Sequence, residues 1–479
     1  MISRRQALIS ASALALTTKI GGKPAHAQLA YENTDVVVIG AGLSGLNTAL
    51  HLEEQGYKVA VLEASDRVGG RVHSVPYGDG FVDVGASEFS LTHARVLDLC
   101  DRLGVELNDV PPFSLNFCFY IRDQLVTEAE WPASAANLTE GDEREVLPSR
   151  LENYLVQKAL PFNDVGDWLA PQHADLDMSV GELLVRESTS AEAIRLANVG
   201  VTYTDMWESS ALAAFRDAAR WRMADDSDPK EADPMSGNTV KRAKGGNVMI
   251  AKAMAKALDN DVLVDKVVAQ VEQDNSGVEV SCFDGSRYRA NFAVLAAPFL
   301  ALRKIDFQPA FTGKQALAVR DTQYAGTTQV HFSVKEPYWD DGYGASMYTD
   351  TIVERLFALE HGGVINRVVV WLNGKTSASF DQLEPADADQ LILDELARIR
   401  PSTKGKLEPA FRFSWGRHPF IGGHRHCYGA GQVNLFAKEM AQPFGRLHFA
   451  GEHTRSLEFG TESAMESGER AAFEIIERA

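Results

Sequence analysis

The sequence predicts an α/β fold, and three observations carry that expectation. The β-branched run from Asp35 to Ile39 enters Gly40-Ala41-Gly42-Leu43-Ser44-Gly45, after which Leu43, Leu46 and Leu50 recur at helical spacing. A second apolar strand, Lys58 to Leu62, ends on an acid, Glu63. Near the C-terminus a strand from Leu447 to Ala450 leads through Gly451-Glu452-His453-Thr454 into a helical run whose Met465, Gly468, Ala472 and Ile476 share one face.

Each position of the first block has a physical job. Asp35 to Ile39 reads as a strand buried on both faces. Gly40 permits a tight turn, Gly42 lets the backbone approach a pyrophosphate, and Gly45 lets the helix pack on the strand. The helix start at Leu43 and Ser44 offers free N–H groups and a positive dipole end to phosphate. Glu63, roughly twenty residues after the first glycine, is placed to accept ribose hydroxyls. Strand, turn, helix, strand and acid occur in order, so the block reads as a dinucleotide site.

The remaining elements follow in chain order. Residues 97–107 form a helix closing at Gly104, and residues 164–223 are largely helical in pattern. Residues 224–234, ADDSDPKEADP, read as an exposed loop. Lys244-Gly245-Gly246-Asn247 precedes an alanine-rich helix to Leu258. Residues 262–271, 277–283 and 287–296 are expected to form a meander. Residues 327–339 alternate and turn at Pro337, 368–372 are a strand, and 387–400 an amphipathic helix.

With 479 residues, the chain can bury the cores of two or three domains. Lys and Arg total 47 against 66 Asp and Glu, a formal charge of −19, so no nucleic-acid partner is expected. No apolar run is long enough for an integral membrane segment. Residues 1–27 read as a signal peptide: Ser3-Arg4-Arg5 precedes a run of small and apolar residues, and Ala25-His26-Ala27 offers a cleavage site. The paired arginines resemble a twin-arginine leader, with an ordinary secretory leader as the alternative; either places the mature chain outside the bacterial cytoplasm, in the periplasm. Cys100, Cys118, Cys282 and Cys427 match no metal-site spacing, and no metal is expected; export would permit pairing, but mostly free, buried thiols are expected.

The run continuing from Glu63, Ala64-Ser65-Asp66-Arg67-Val68-Gly69-Gly70-Arg71, resembles the FAD-binding signature of the flavin amine oxidase superfamily. Phe81 to Glu88 resembles that family's strand beside the flavin, and Gly451-Glu452-x-Thr454 with Gly460 to Gly468 resembles its closing turn and helix. The resemblance implies FAD held by Gly40, Gly42, Ser44, Gly45, Glu63, Ala64, Gly70, Arg71, Gly85, Ala86, Ser87, Val267, Gly451, Glu452, Gly460 and Thr461. It implies a discontinuous Rossmann-like FAD domain (31–90, 240–313, 418–479) and a mixed-sheet and helical substrate domain (91–239, 314–417). It also implies oxidation of an amine or amino-acid CH–NH group, with hydride passing to flavin N5.

Three landmarks depart from the family pattern. The lysine that holds a water at the flavin falls on Gln329, a neutral amide, which favours a dehydrogenase with an acceptor other than oxygen, such as a periplasmic cytochrome c. His331 shares a strand face with Gln329, either as a site group or as a structural histidine. Trp415 holds its family position, but the two cage rings fall on Arg425 and Gly460. Arg425 either pairs a substrate carboxylate or turns away to an acidic surface, leaving Phe459 and Trp415 to line the site. His424 stands where monoamine oxidases link FAD through cysteine; non-covalent FAD is expected. A carbon–carbon desaturase and a flavoprotein with structural FAD remain as rival readings. The small-molecule substrate is unnamed, and a homodimer is among the open oligomeric states.

Overall fold

The computed structural model describes residues 29–31, 34–78, 80–110, 117–227, 240–361 and 363–478. The expected leader, residues 1–27, lies outside them.

Three distant segments meet in one parallel sheet. Its order is Leu447–Phe449, Phe292–Leu295, Val36–Ile39 and Val59–Leu62, with Val38 opposite Val294 and Val61. Apart from the partly buried Phe292, every residue of the four strands is buried, as their almost wholly apolar sequence requires. The helices Leu43–Glu54 and Gly460–Ile476 lie against each other beside this sheet. A Cβ on Gly468 would sit 2.4 Å from the Ser44 carbonyl oxygen, so glycine permits the close crossing. The turns at the carboxyl ends of these strands therefore open on a common crevice, where ligands of such sheets bind.

The expected meander divides. Val268–Asp274, Gly277–Cys282 and Arg287–Ala290 pair antiparallel, in a five-stranded sheet with Leu29–Tyr31 and Asp306–Gln308 at its edges. Residues 292–295 leave it for the parallel sheet. The sequence contains the reason: RYRA alternates exposed and buried, whereas FAVL is apolar on both faces. The strand expected from residue 262 begins at Val268, because the preceding stretch runs beside Leu62, where Leu263 bridges it. The helix expected over 97–107 spans Ala94–Arg102 and stops before Gly104, whose φ is +67°. Part of the loop expected over 224–234 is helix: Ala211–Ser227 continues to the approach of Pro229, and residues 228–234 lie outside the described residues.

The second layer is a seven-stranded mixed sheet ordered Leu407–Ser414, Thr327–Val334, Val364–Asn373, Arg355–His361, Ser346–Thr349, Phe117–Ile121, Gln124–Thr127. The helices Leu151–Ala159, Val180–Arg186, Ala191–Gly200 and Ala211–Ser227 join it in the largest apolar core. All four cysteines are free and buried. Among the described residues, no helix is long and apolar enough to cross a membrane.

Candidate active site

A cavity of about 1360 Å³ runs from the glycine turn of the parallel sheet to the helical layer. Gly40, Gly42, Leu43 and Ser44 form one end. Gly40 takes φ +112°, and a Cβ there would press within 3.1 Å of the Ala296 backbone. A Cβ on Gly42 would meet nothing within 4 Å, so this wall is bare backbone facing open space. Neither the helix after Gly42 nor the helix after Phe459 receives a side-chain cap, so both present N-terminal N–H groups beside the cavity. Gly45 is not on the wall. Its Cβ would lie 2.0 Å from the Gly40 carbonyl oxygen, so its role is to seat the helix.

Charged groups line the same end. Glu63 accepts from the Ala41 N–H at 2.8 Å and from the Ser65 N–H and hydroxyl at 2.9 and 2.7 Å. Arg71 Nη1 donates to Glu452 at 3.0 Å and to the His424 carbonyl at 3.1 Å. Glu452 also bonds His426 Nδ1 at 2.6 Å. Burial opposes its ionisation, but His426, Arg71 and Arg455 outweigh burial and hold the carboxyl well below its usual range. Gly85, Ala86 and Ser87 strap the wall: Ala86 N–H donates to the Arg71 carbonyl at 3.1 Å, and a Cβ on Gly85 would lie 1.8 Å from that oxygen. Ala64, Gly70, Val267, Gly451, Gly460 and Thr461 are on the wall as well. The Val267 carbonyl is taken by the Phe283 N–H, at 2.9 Å.

A bare Gly42, two uncapped helix starts, the Arg71 guanidinium and a buried acid at the strand end suit a diphosphate joined to a ribose. These residues fit FAD.

At the other end the side chains decide. Trp415 Nε1 and Gln329 Nε2 both donate to the Val84 carbonyl, at 2.8 and 3.0 Å. Trp415 and Val84 face the cavity; Gln329 and His331 lie one layer behind. His331 bonds Gln329 at 3.2 Å and stacks on Phe411 at 4.2 Å, and burial pushes its pKa down to about 3. It is a neutral structural ring supporting the wall. His424 is on the wall, with Nδ1 at 2.6 Å from Thr327 Oγ1 and 3.0 Å from the Ala325 carbonyl. A carbonyl only accepts, so that bond puts the proton on Nδ1 and leaves Nε2 bare. Burial, then Arg425, lowers its pKa to about 3.

Arg425 has an acidic partner, Asp217, at 3.2 Å, and its Nη1 donates to Thr202 at 3.1 Å. Phe459 packs on Trp221 with centroids 4.5 Å apart, and both rings face the cavity. Sequence reasoning missed Arg216, Asp217 and Trp221, as well as Glu152, Tyr203, Trp371 and Arg455, all on the wall. A signal was available for the helix: Arg216 and Asp217 interrupt an alanine-rich buried face, and Ala213, Asp217 and Trp221 recur every fourth residue.

The sequence profile of flavin-containing amine oxidoreductases matches residues 43–476. The chain belongs to that family. Members similar to it include a flavin-dependent L-tryptophan oxidase, RebO, of Lentzea aerocolonigenes, 26% identical over 92% of this chain and 98% of the relative. A putative L-amino-acid oxidase, YobN, of Bacillus subtilis is 24% identical over 92% and 94%. Among solved structures, cyclohexylamine oxidase from Brevibacterium oxydans superposes with a TM-score of 0.77 at 22% identity, covering 93% of this chain and 99% of that one. Wild-type putrescine oxidase bound to putrescine gives 0.75 at 21%, with the same coverage. The protein is thus an FAD-dependent oxidoreductase of the amine oxidase type, and the FAD amine oxidase fold accounts for its two-layered architecture.

Proposed function

We propose that this enzyme is an exported amine or amino-acid dehydrogenase that passes electrons to a periplasmic one-electron carrier, such as a cytochrome c, rather than to oxygen. The amine chemistry follows from the family. FAD supplies the hydride acceptor when bound. The chain binds it through the glycine turn and Arg71, and sets Trp415, His424 and Arg425 around the space beyond.

The observation that supports the acceptor assignment is the neutral pair behind Val84. The Gln329 amide is spent on a carbonyl, and its neighbour His331 is held uncharged by burial. Oxygen reduction passes through superoxide, which a fixed positive charge beside the ring would stabilise. Behind Val84 and Trp415, where Gln329 and His331 stand, the chain supplies none. The relatives named above are oxidases, so the reading marks a departure of this chain from them. The paired arginines Arg4 and Arg5, ahead of a run of small and apolar residues, support export.

Stopped-flow mixing of substrate-reduced enzyme with air-saturated buffer tests it. Reoxidation should be slower than turnover, and faster with an added one-electron acceptor. Reoxidation by oxygen as fast as turnover would defeat the reading. Gln329→Lys should speed the oxygen reaction while leaving flavin reduction unchanged.

A further inference from the structure

Three guanidiniums converge on one carboxylate in the cavity wall. Arg216 Nε lies 3.2 Å from Asp217 Oδ1, Arg425 Nη2 lies 3.2 Å from Oδ2, and Arg455 Nη2 reaches Oδ1 at 2.8 Å and Oδ2 at 3.1 Å. Burial works against the Asp217 charge, but Arg455, Arg216 and Arg425 outweigh it and hold the group below the usual carboxylate range. One negative charge therefore faces three positive ones.

The other acids nearby do not close the gap. Glu152 accepts from the Tyr203 hydroxyl at 3.1 Å rather than pairing with a guanidinium of the cluster, and burial raises its pKa. Glu452 is committed to Arg71 and His426. Glu458 pairs with Arg220 at 2.9 Å and gives Arg455 only its backbone carbonyl. Arg216 and Arg455 are 1% and 5% exposed, yet Arg216 Nη1 and Arg455 Nε have no hydrogen-bond partner among the described residues. Both residues face the cavity. Arg216 is further fixed over the Trp168 ring, at 4.5 Å. Buried charged donors without acceptors are costly, and a bound anion would satisfy them.

We propose that the substrate is an amine bearing two acid charges, of the acidic amino-acid class, and that Arg216, Arg425 and Arg455 hold its acid portion. In direct contact, three guanidiniums share the single Asp217 carboxylate, an excess of positive charge that two further acid groups match better than one. Asp217 splays the three guanidiniums and so keeps them ready before substrate arrives. The proposal rests on the amine-oxidation reading and names the substrate class of that site.

The test uses holoenzyme and two non-reacting acids, glutarate with two carboxylates and butyrate with one. Binding is read from the flavin spectrum and, independently, from Tm. Glutarate should bind at least tenfold tighter, and the preference should shrink with added salt and in Arg455→Gln and Arg425→Gln. Arg425 is half-buried, so its variant should fold even if Arg455→Gln does not. Equal binding of the two acids, or a preference unchanged in every folded variant, would overturn the proposal. Anaerobic flavin reduction should then be at least tenfold more efficient with glutamate-class amines than with neutral amino acids. Equal efficiency would overturn the substrate class and leave amine oxidation standing; no reduction by any amine would overturn both.

Discussion

Along the turn from Gly40 to Gly45 and the strap from Gly85 to Ser87, the cavity wall is mostly backbone. Along Arg216 to Trp221, and from Arg425 to Phe459, it is side chain. A backbone wall tolerates few residue types, because a Cβ either fills the cofactor's space or strikes a carbonyl. A side-chain wall can be rebuilt from many residues, provided that charges are matched and apolar surfaces packed. The cofactor end therefore carries the family's signature, and the substrate end carries this chain's individuality.

The largest effect is expected at the substrate end. Asp217→Asn leaves three guanidiniums without their shared charge. Removing one partner of a buried ion pair typically costs about 3–5 kcal/mol, so a large fall in Tm is expected. If Tm barely moves, the cluster is not the electrostatic centre of that wall. At the cofactor end, Gly45→Ala pushes a methyl to within 2.0 Å of the Gly40 carbonyl oxygen. Overpacking of this kind costs about 1–3 kcal/mol, and flavin content of the purified protein should fall with Tm. Glu63→Gln is smaller. It removes a charged acceptor from Ala41 and Ser65, where each bond is worth about 1 kcal/mol or somewhat more, and FAD should bind several-fold more weakly by equilibrium titration.

The last effect appears only in acid. Burial holds His331 at a pKa of about 3 against an ordinary 6.5. The unfolded chain therefore binds a proton that the folded one refuses, and stability falls as pH drops from about 6.5 toward 3. His331→Gln should lessen that slope by one proton's share, the other buried histidines keeping theirs, as read by Tm across the same range. An unchanged slope would mean that the ring is charged or exposed.

Much of the fold was legible for the reason that separates the two ends. The run VVVI, the three glycines and Glu63 leave few alternatives, and the sheet they predict is present. The split of residues 287–296 between two sheets was legible in principle, since alternation stops at Asn291. The substrate end was not. Gln329 and His331 share a strand face, but nothing local says that Val84 and Trp415 stand between them and the cavity. Arg425 was recognised, but its partner lies 208 residues away in sequence, on a helix placed only by tertiary packing.

In one cavity, a flavin held by the backbone end oxidises an amine placed by the side-chain end. Anaerobic addition of amines and amino acids to the FAD-loaded enzyme tests that directly, with flavin absorbance and ammonia followed together. The flavin should bleach, with one ammonia released per flavin reduced. Bleaching without ammonia, or no bleaching by any amine, would contradict it.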